Sequence, residues 1–138
     1  MQQFVEFASR HQFLAIATVL LVAALLVTET QRALRRWREL GSFELTQRVN
    51  AGALLIDLRD AAAYAAGHIV GARHAEPAAL DAAVATHSKD AALVVYCETG
   101  VESGRAATRL AAAGFTNAAT LRGGLATWRA ENLPLARG

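Results

Sequence analysis

A single cysteine, Cys97, serves the whole 138-residue chain. It excludes an internal disulfide framework and suits a reducing compartment. The four histidines, His11, His68, His74 and His87, are scattered and make no metal-ligand spacing. Gly100-x-x-x-Gly104 is followed by Arg105, so the Gly-Lys-Ser/Thr ending of a nucleotide-binding loop is missing. No internal repeat is present. Nor is there a basic surface for nucleic acid: residues 1–41 carry five arginines against three glutamates, while the remainder holds nine basic and nine acidic residues. The net charge of +2 therefore belongs to the leader, and no aromatic-basic interleaving accompanies it.

Hydrophobic residues make up 54% of the chain, a high share that traces to one run. From His11 to Thr28 there are 18 residues without a formal charge. As a helix they would span roughly 27 Å, enough for the hydrocarbon core of a bilayer. A cleaved signal peptide would want a more basic start and a small-residue cleavage site after the run. Here Ala15-Ile16-Ala17 comes too early, and Thr28-Glu29-Thr30 leads into four arginines. The expectation is a single transmembrane anchor contacting lipid through residues 11–28. Arg32, Arg35, Arg36 and Arg38 follow it, against Arg10 before it, so the positive-inside tendency puts the rest of the chain in the cytoplasm. No Gly-x-x-x-Gly interrupts the span to signal helix dimerisation.

The expected division is an anchor with an Arg-rich juxtamembrane segment over 1–41 and a domain over 42–138. Gln31 to Leu40 is expected to continue the helix, with Trp37 near the headgroups or docked on the domain. Gly41-Ser42 is the expected joint, Phe43 to Thr46 a short strand and Thr46 to Asn50 a helical turn. Ala53 to Leu58, Ala72 to His74, Ala92 to Cys97 and Ala118 to Leu121 read as strands. Asp60 to Ala66, Ala78 to Ala85, Ser103 to Ala113 and Leu125 to Glu131 read as helices. Strands alternating with helices predict an α/β domain, its mainly parallel sheet covered on both faces.

Cys97 falls where the apolar strand Ala92-Leu93-Val94-Val95-Tyr96 gives way to the loop Glu98-Thr99-Gly100-Val101-Glu102. Ser103 is expected to cap the helix that follows, or to offer a hydroxyl to the sulfur. In open parallel sheets ligands bind at the carboxyl ends of the strands. A cysteine there faces a helix N-terminus and a curl of backbone amides, surroundings that favour a nucleophilic thiolate. Gly100 suits such a loop because only glycine takes positive φ freely.

The pattern Cys97-x-x-Gly100-x-x-Ser103-x-x-Ala106 resembles the active-site loop of single-domain rhodaneses, which are sulfurtransferases. Leu55-Ile56-Asp57-Leu58-Arg59 with Tyr64-x-x-Gly67-His68-Ile69-x-Gly71-Ala72 is similar to the family's N-terminal signature. Leu121-Arg122-Gly123-Gly124-Leu125-x-x-Trp128 with Asn132-Leu133-Pro134-Leu135 is similar to its C-terminal one. The three stand in family order over roughly residues 42 to 138. The resemblance implies that the Cys97 thiolate takes sulfane sulfur from a donor, thiosulfate or a persulfide. The resulting persulfide then passes the sulfur to a thiol or cyanide acceptor. The amides of Glu98, Thr99, Gly100, Val101, Glu102 and Ser103 would cradle the charge, with no metal and no organic cofactor. A bacterial inner-membrane location and a membrane-protein partner also fit this picture.

The loop departs from the family pattern in carrying Glu98 and Glu102, where many relatives carry a basic residue. Both oppose an anionic donor unless they turn to water. Arg59 is the candidate to restore positive charge, or else part of a structural network with Asp57. His68 is expected to be a hydrogen-bonded loop histidine, and Trp128 a core residue. Rhodanese-like phosphatases need an arginine six positions after the cysteine; here that position is Ser103. The competing function is a membrane-tethered binding module without catalysis.

Overall fold

The computed structural model describes residues 1–138, the side chain of Ala8 excepted. The chain divides into two compact units, Met1–Arg35 and Arg36–Gly138.

The first unit is two helices, α1 (Gln2–Arg10) and α2 (Gln12–Ala33), separated where His11 leaves helical geometry at φ −125°, ψ 44°. No described side chain of α2 is buried: Phe13, Leu14, Ile16, Val19, Leu20 and Leu26 are all exposed. The helix is long and apolar enough to cross a membrane. Its few hydroxyls are satisfied internally. Thr18 donates to the Leu14 carbonyl, Thr28 to Leu25, and Thr30 to Leu26 and Val27. That arrangement is what an apolar solvent requires of a polar side chain.

The second unit is built on five parallel strands: β1 (Arg38–Leu40), β2 (Leu54–Asp57), β4 (Arg73–His74), β5 (Leu93–Tyr96) and β6 (Ala118–Leu121). Their order is β1-β6-β5-β2-β4. Two further strands, β3 (His68–Ile69) and β7 (Leu135–Ala136), pair antiparallel beside them. The central strand β5 is buried throughout and alternates between two cores. Leu93, Val95 and Cys97 join Leu80 and Val84 of α5 (Leu80–Val84), and Ala106, Ala107 and Leu110 of α6 (Val101–Ala112). Val94 and Tyr96 face the other way, to Leu45 of α3 (Ser42–Asn50) and to Leu125 and Trp128 of α7 (Gly124–Ala130). A strand covered on both faces reads as an unbroken apolar run. That is why β5 is visible in the sequence.

Two expected elements differ. The helix ends at Ala33, and Arg38–Leu40 is a strand in register with Ala119–Leu121 of β6 rather than a continuation of the helix. Leu40 is wholly buried, and the Trp37 indole donates to Thr108 Oγ1 on α6 at 3.1 Å. The domain's first strand thus precedes the expected joint at Gly41-Ser42. Phe43 to Thr46 is helical, inside α3, instead of a strand. Leu45 and Val49, one helical turn apart, pack on the same core, while Phe43 stays exposed.

Other boundaries follow local chemistry. The short helix α4 (Ala61–Ala66) opens with the Asp60 carboxylate accepting from the Ala63 amide at 2.7 Å. Gly114 follows the end of α6 at φ +99°, the left-handed position that closes many helices.

Candidate active site

The carboxyl ends of β2 and β5 lie side by side, because Asp57 is in register with Tyr96. β2 ends here in Asp57, and β5 ends in Tyr96 with Cys97 directly after it.

From β2 comes a closed ionic network. Asp57 is fully buried, and both its oxygens are occupied. Oδ1 accepts from the Arg59 backbone amide at 2.9 Å and from Arg59 Nε at 3.0 Å. Oδ2 accepts from Arg59 Nη2 at 2.7 Å and from the Tyr96 hydroxyl at 2.8 Å. The Tyr96 hydroxyl in turn accepts from the Ile69 amide at 3.1 Å. Arg59 Nη2 also donates to the Gly67 carbonyl at 2.6 Å. Burial works against the guanidinium charge, but the bonds and charge of Asp57 outweigh it, and the Arg59 pKa stands above its ordinary value. Burial, seconded by the Asp57 charge, likewise raises the Tyr96 hydroxyl well above the usual tyrosine range.

From β5 comes Cys97, 6% exposed. The loop after it turns back so that the Gly100 amide donates to the sulfur at 3.1 Å and the Ser103 amide at 3.4 Å. The Cys97 thiol is 3.5 Å from Ser103 Oγ, which itself donates to the Gly100 carbonyl at 3.1 Å. Gly100 holds φ +98°, a conformation that side chains rarely adopt, and it is the residue from which α6 begins. Helix α6 therefore starts at Val101. Ser103 lies in its first turn, wholly buried, and is not the cap expected from the sequence.

A second helix end braces the loop from outside. The Leu125 amide donates to the Cys97 carbonyl at 2.9 Å, and the Ala126 amide to the Glu98 carbonyl at 3.0 Å. This close approach depends on Gly124. A Cβ there would lie 2.6 Å from both the Cys97 and the Glu98 carbonyl oxygens.

Of the residues singled out in the sequence, Cys97, Gly100 and Ser103 are brought together around the sulfur. Glu98 reaches sideways instead, to Arg59 Nη1 at 3.5 Å and to Arg129 of α7. Thr99 and Val101 are exposed, and Glu102 pairs with Arg105 along α6 at 2.9 Å. Arg59 belongs to the Asp57 network and touches the loop through Glu98. His68 is buried, with Nδ1 2.9 Å from the Tyr64 carbonyl and its ring stacked on Tyr64. Trp128 is a core residue whose indole donates to the Pro134 carbonyl.

Three contributors were missed. Tyr96 reads as one more apolar residue of its strand, and nothing in the sequence links Arg129 to Glu98. The pair Gly123-Gly124 reads as a turn, and its dependence on a carbonyl approach becomes visible only in three dimensions. Among the described residues no three His, Cys, Asp or Glu side chains converge to hold a metal ion.

Comparison with known proteins agrees with this geometry. The family model described as Rhodanese-like domain matches residues 43–131. The chain is 32% identical to YibN of Escherichia coli (strain K12), an uncharacterized protein, over all of this chain and 99% of that one. It is 40% identical to the thiosulfate sulfurtransferase GlpE of Pseudomonas putida (strain GB-1), over 62% of this chain and 78% of that one. Among solved structures, the Alr3790 protein from Anabaena sp. superposes with a TM-score of 0.65 at 30% identity, over 72% of this chain and 82% of that one. With a matching family model across most of the domain and a Cys97 loop of the expected form, the chain belongs to the rhodanese-like domain family.

Proposed function

We propose that the domain is a sulfurtransferase that carries sulfane sulfur on Cys97. The observation that supports this most is the pair of amides, Gly100 and Ser103, donating to Sγ from a loop whose glycine geometry aims them there. Such donors stabilise negative charge on the sulfur without moving. The positive end of α6 adds to them.

The step balances without a cofactor. The Cys97 thiolate attacks the outer sulfur of a donor, R–S–SH; a new S–S bond forms, the donor's S–S bond breaks, and R–S⁻ leaves with the electron pair. With thiosulfate the leaving group is sulfite. The Cys97 persulfide then yields its outer sulfur to a thiol or to cyanide, which becomes thiocyanate, and the thiolate returns. Ser103 Oγ, now bonded to the Gly100 carbonyl, can turn its proton to the sulfur once charge develops.

Intact-mass spectra of the full chain in detergent test the reading. After incubation with thiosulfate or with cysteine persulfide, a one-sulfur increase is expected that cyanide removes and Cys97→Ser abolishes. No loading from either donor overturns it and leaves a tethered binding module.

We further propose that α2 anchors the chain in a bacterial inner membrane with the domain in the cytoplasm. The support is an apolar helix with no buried described side chain, followed by Arg32, Arg35, Arg36 and Arg38 against Arg10 before it. A C-terminal reporter that fluoresces only in the cytoplasm should be bright. A dark fusion whose periplasmic counterpart is active reverses the orientation.

A further inference from the structure

The charged groups at the mouth of the Cys97 loop are already paired with one another. Arg59 is held by Asp57 at 2.7 Å and by Glu98 at 3.5 Å. Arg129 binds the other oxygen of Glu98, and Arg105 binds Glu102 at 2.9 Å. Three guanidiniums thus face three carboxylates. The pairing that matters is at Glu98, the residue next to the nucleophile. Its side chain, 47% exposed, spans a buried arginine just after β2 and a partly exposed one from α7. Glu98 also has its own carbonyl tied to α7 through Ala126, so the carboxylate is held at this edge by backbone as well as by charge.

We infer that Glu98 sets the class of sulfur donor, on the basis that the domain is a sulfurtransferase as proposed above. By occupying Arg59 and Arg129 together, Glu98 withholds the two cations that a small dianion would need. A dianionic donor such as thiosulfate meets a carboxylate beside the thiol and finds only the two loop amides in its favour. An organic persulfide reacts through a sulfur that bears at most one negative charge, and its carrier extends outward past the exposed Thr99 and Val101. The wild-type site is therefore one for organic persulfides. Both donors give the same product at Cys97. In one case the S–S bond breaks to release a thiolate, in the other to release sulfite.

The test is the ratio of Cys97 loading rates from thiosulfate and from cysteine persulfide, measured by intact mass on the full chain in detergent. Glu98→Gln keeps the size of the side chain and removes its charge. The thiosulfate-to-persulfide ratio should rise about tenfold, the low end of what charge in a cleft does to an ionic substrate, and the gain should shrink as salt is added. Arg129→Gln should move the ratio the other way, since Glu98 then keeps only one partner. The double variant Glu98→Gln/Arg129→Gln should lose most of the gain, because Arg59 stays paired with Asp57 and Arg129 is the cation that the loss of Glu98 sets free. Both side chains are about half exposed, and circular dichroism confirms that each variant is folded.

A ratio unchanged in Glu98→Gln, with cysteine persulfide still loading, overturns the inference and leaves the sulfurtransferase reading standing. A gain that persists in the double variant also overturns it. Absence of loading from both donors in the wild-type chain is a different failure, that of the sulfurtransferase reading itself.

Discussion

Strands β2 and β5 end beside each other, yet their last polar groups are used in opposite ways. Asp57 is an anion whose partners are complete: two nitrogens of Arg59, its backbone amide and the Tyr96 hydroxyl fill its oxygens. Cys97 receives two amide N–H donors, more than a neutral thiol needs, while its own S–H faces Ser103 Oγ, whose proton goes to the Gly100 carbonyl. A buried charge with every partner in place holds three segments together, here β2, β5 and the turn at Gly67-Ile69. A buried sulfur with donors to spare is suited to charge that it acquires. Stability is thus concentrated at the end of β2 and reactivity at the end of β5. Substitutions at the end of β2 should cost the fold, and those around the end of β5 should cost the reaction.

The largest effect should come from Asp57→Ala. It strands the Arg59 guanidinium, 7% exposed, without its main counter-charge. Breaking a buried pair in this way costs about 3–5 kcal/mol. Urea unfolding followed by tryptophan fluorescence reports it directly, since Trp37 and Trp128 both lie in the second unit. Cys97→Ser, measured beside it, should change stability by only ~1 kcal/mol. Equal losses for the two variants would erase the contrast between the strand ends.

Gly124→Ala comes next and probes the brace between α7 and the loop. The added Cβ meets two backbone carbonyls at 2.6 Å, from a residue at φ +65°, and no side chain can swing away to relieve it. Strain of this kind costs about 1–3 kcal/mol. Because the displaced atoms are the carbonyls of Cys97 and Glu98, sulfur loading should fall by more than the stability loss explains. Gly41→Ala is the control: nothing lies within 4 Å of its Cβ position, and its φ is negative. A Gly124→Ala chain that loads sulfur at the wild-type rate would show that α7 does not position the loop.

Tyr96→Phe should cost about 1–2 kcal/mol at neutral pH, for it leaves the Ile69 amide and one Asp57 lone pair short of a partner. It should also change the alkaline limb. The native hydroxyl ionises well above its unfolded value of about 10. Below that value both states keep the proton, and the contribution is complete. Above it the unfolded chain releases the proton while the native state retains it, so stability falls as pH rises. The fall above pH ~10 should be shallower in Tyr96→Phe. An unaltered slope would mean that other groups govern alkaline unfolding.

How far the sequence discloses this arrangement depends on the kind of interaction. The two-faced burial of β5 is legible because an unbroken Leu93–Tyr96 run has few other readings, and Asp57 with Arg59 is legible because a charge inside an apolar strand needs a partner nearby. Strand β1 is not. Arg38-Glu39-Leu40 offers one buried side chain, and its place beside β6 rests on backbone hydrogen bonds that no side-chain pattern records. The start of α3 misled for a related reason: Phe43 and Leu45 alternate as a strand would, whereas the contact that decides is Leu45 with Val49 on one helical face. The Glu98–Arg129 pair spans 31 positions and joins two exposed residues of ordinary type. Only the approach of α7 to the loop creates it.

Ser103 gives the smallest and most discriminating effect. From sequence it is either a helix cap or a hydroxyl donor to sulfur, and its place in the first turn of α6, after Gly100, removes the first role as stated. Two readings of its hydroxyl remain physically distinct. If the bond to the Gly100 carbonyl only holds the loop, Ser103→Ala should cost about 1 kcal/mol and loading should follow stability alone. If the hydroxyl turns to the charged sulfur during the reaction, loading should slow about threefold to tenfold beyond that, the worth of one hydrogen bond made in the transition state. Alanine suits the site, since Ser103 is fully buried and its amide would still point at Sγ. Ser103→Thr restores a hydroxyl, and should recover the rate if the second account holds. A threonine variant no faster than alanine, with both equally stable, would leave the Gly100 and Ser103 amides as the only side of the sulfur that matters.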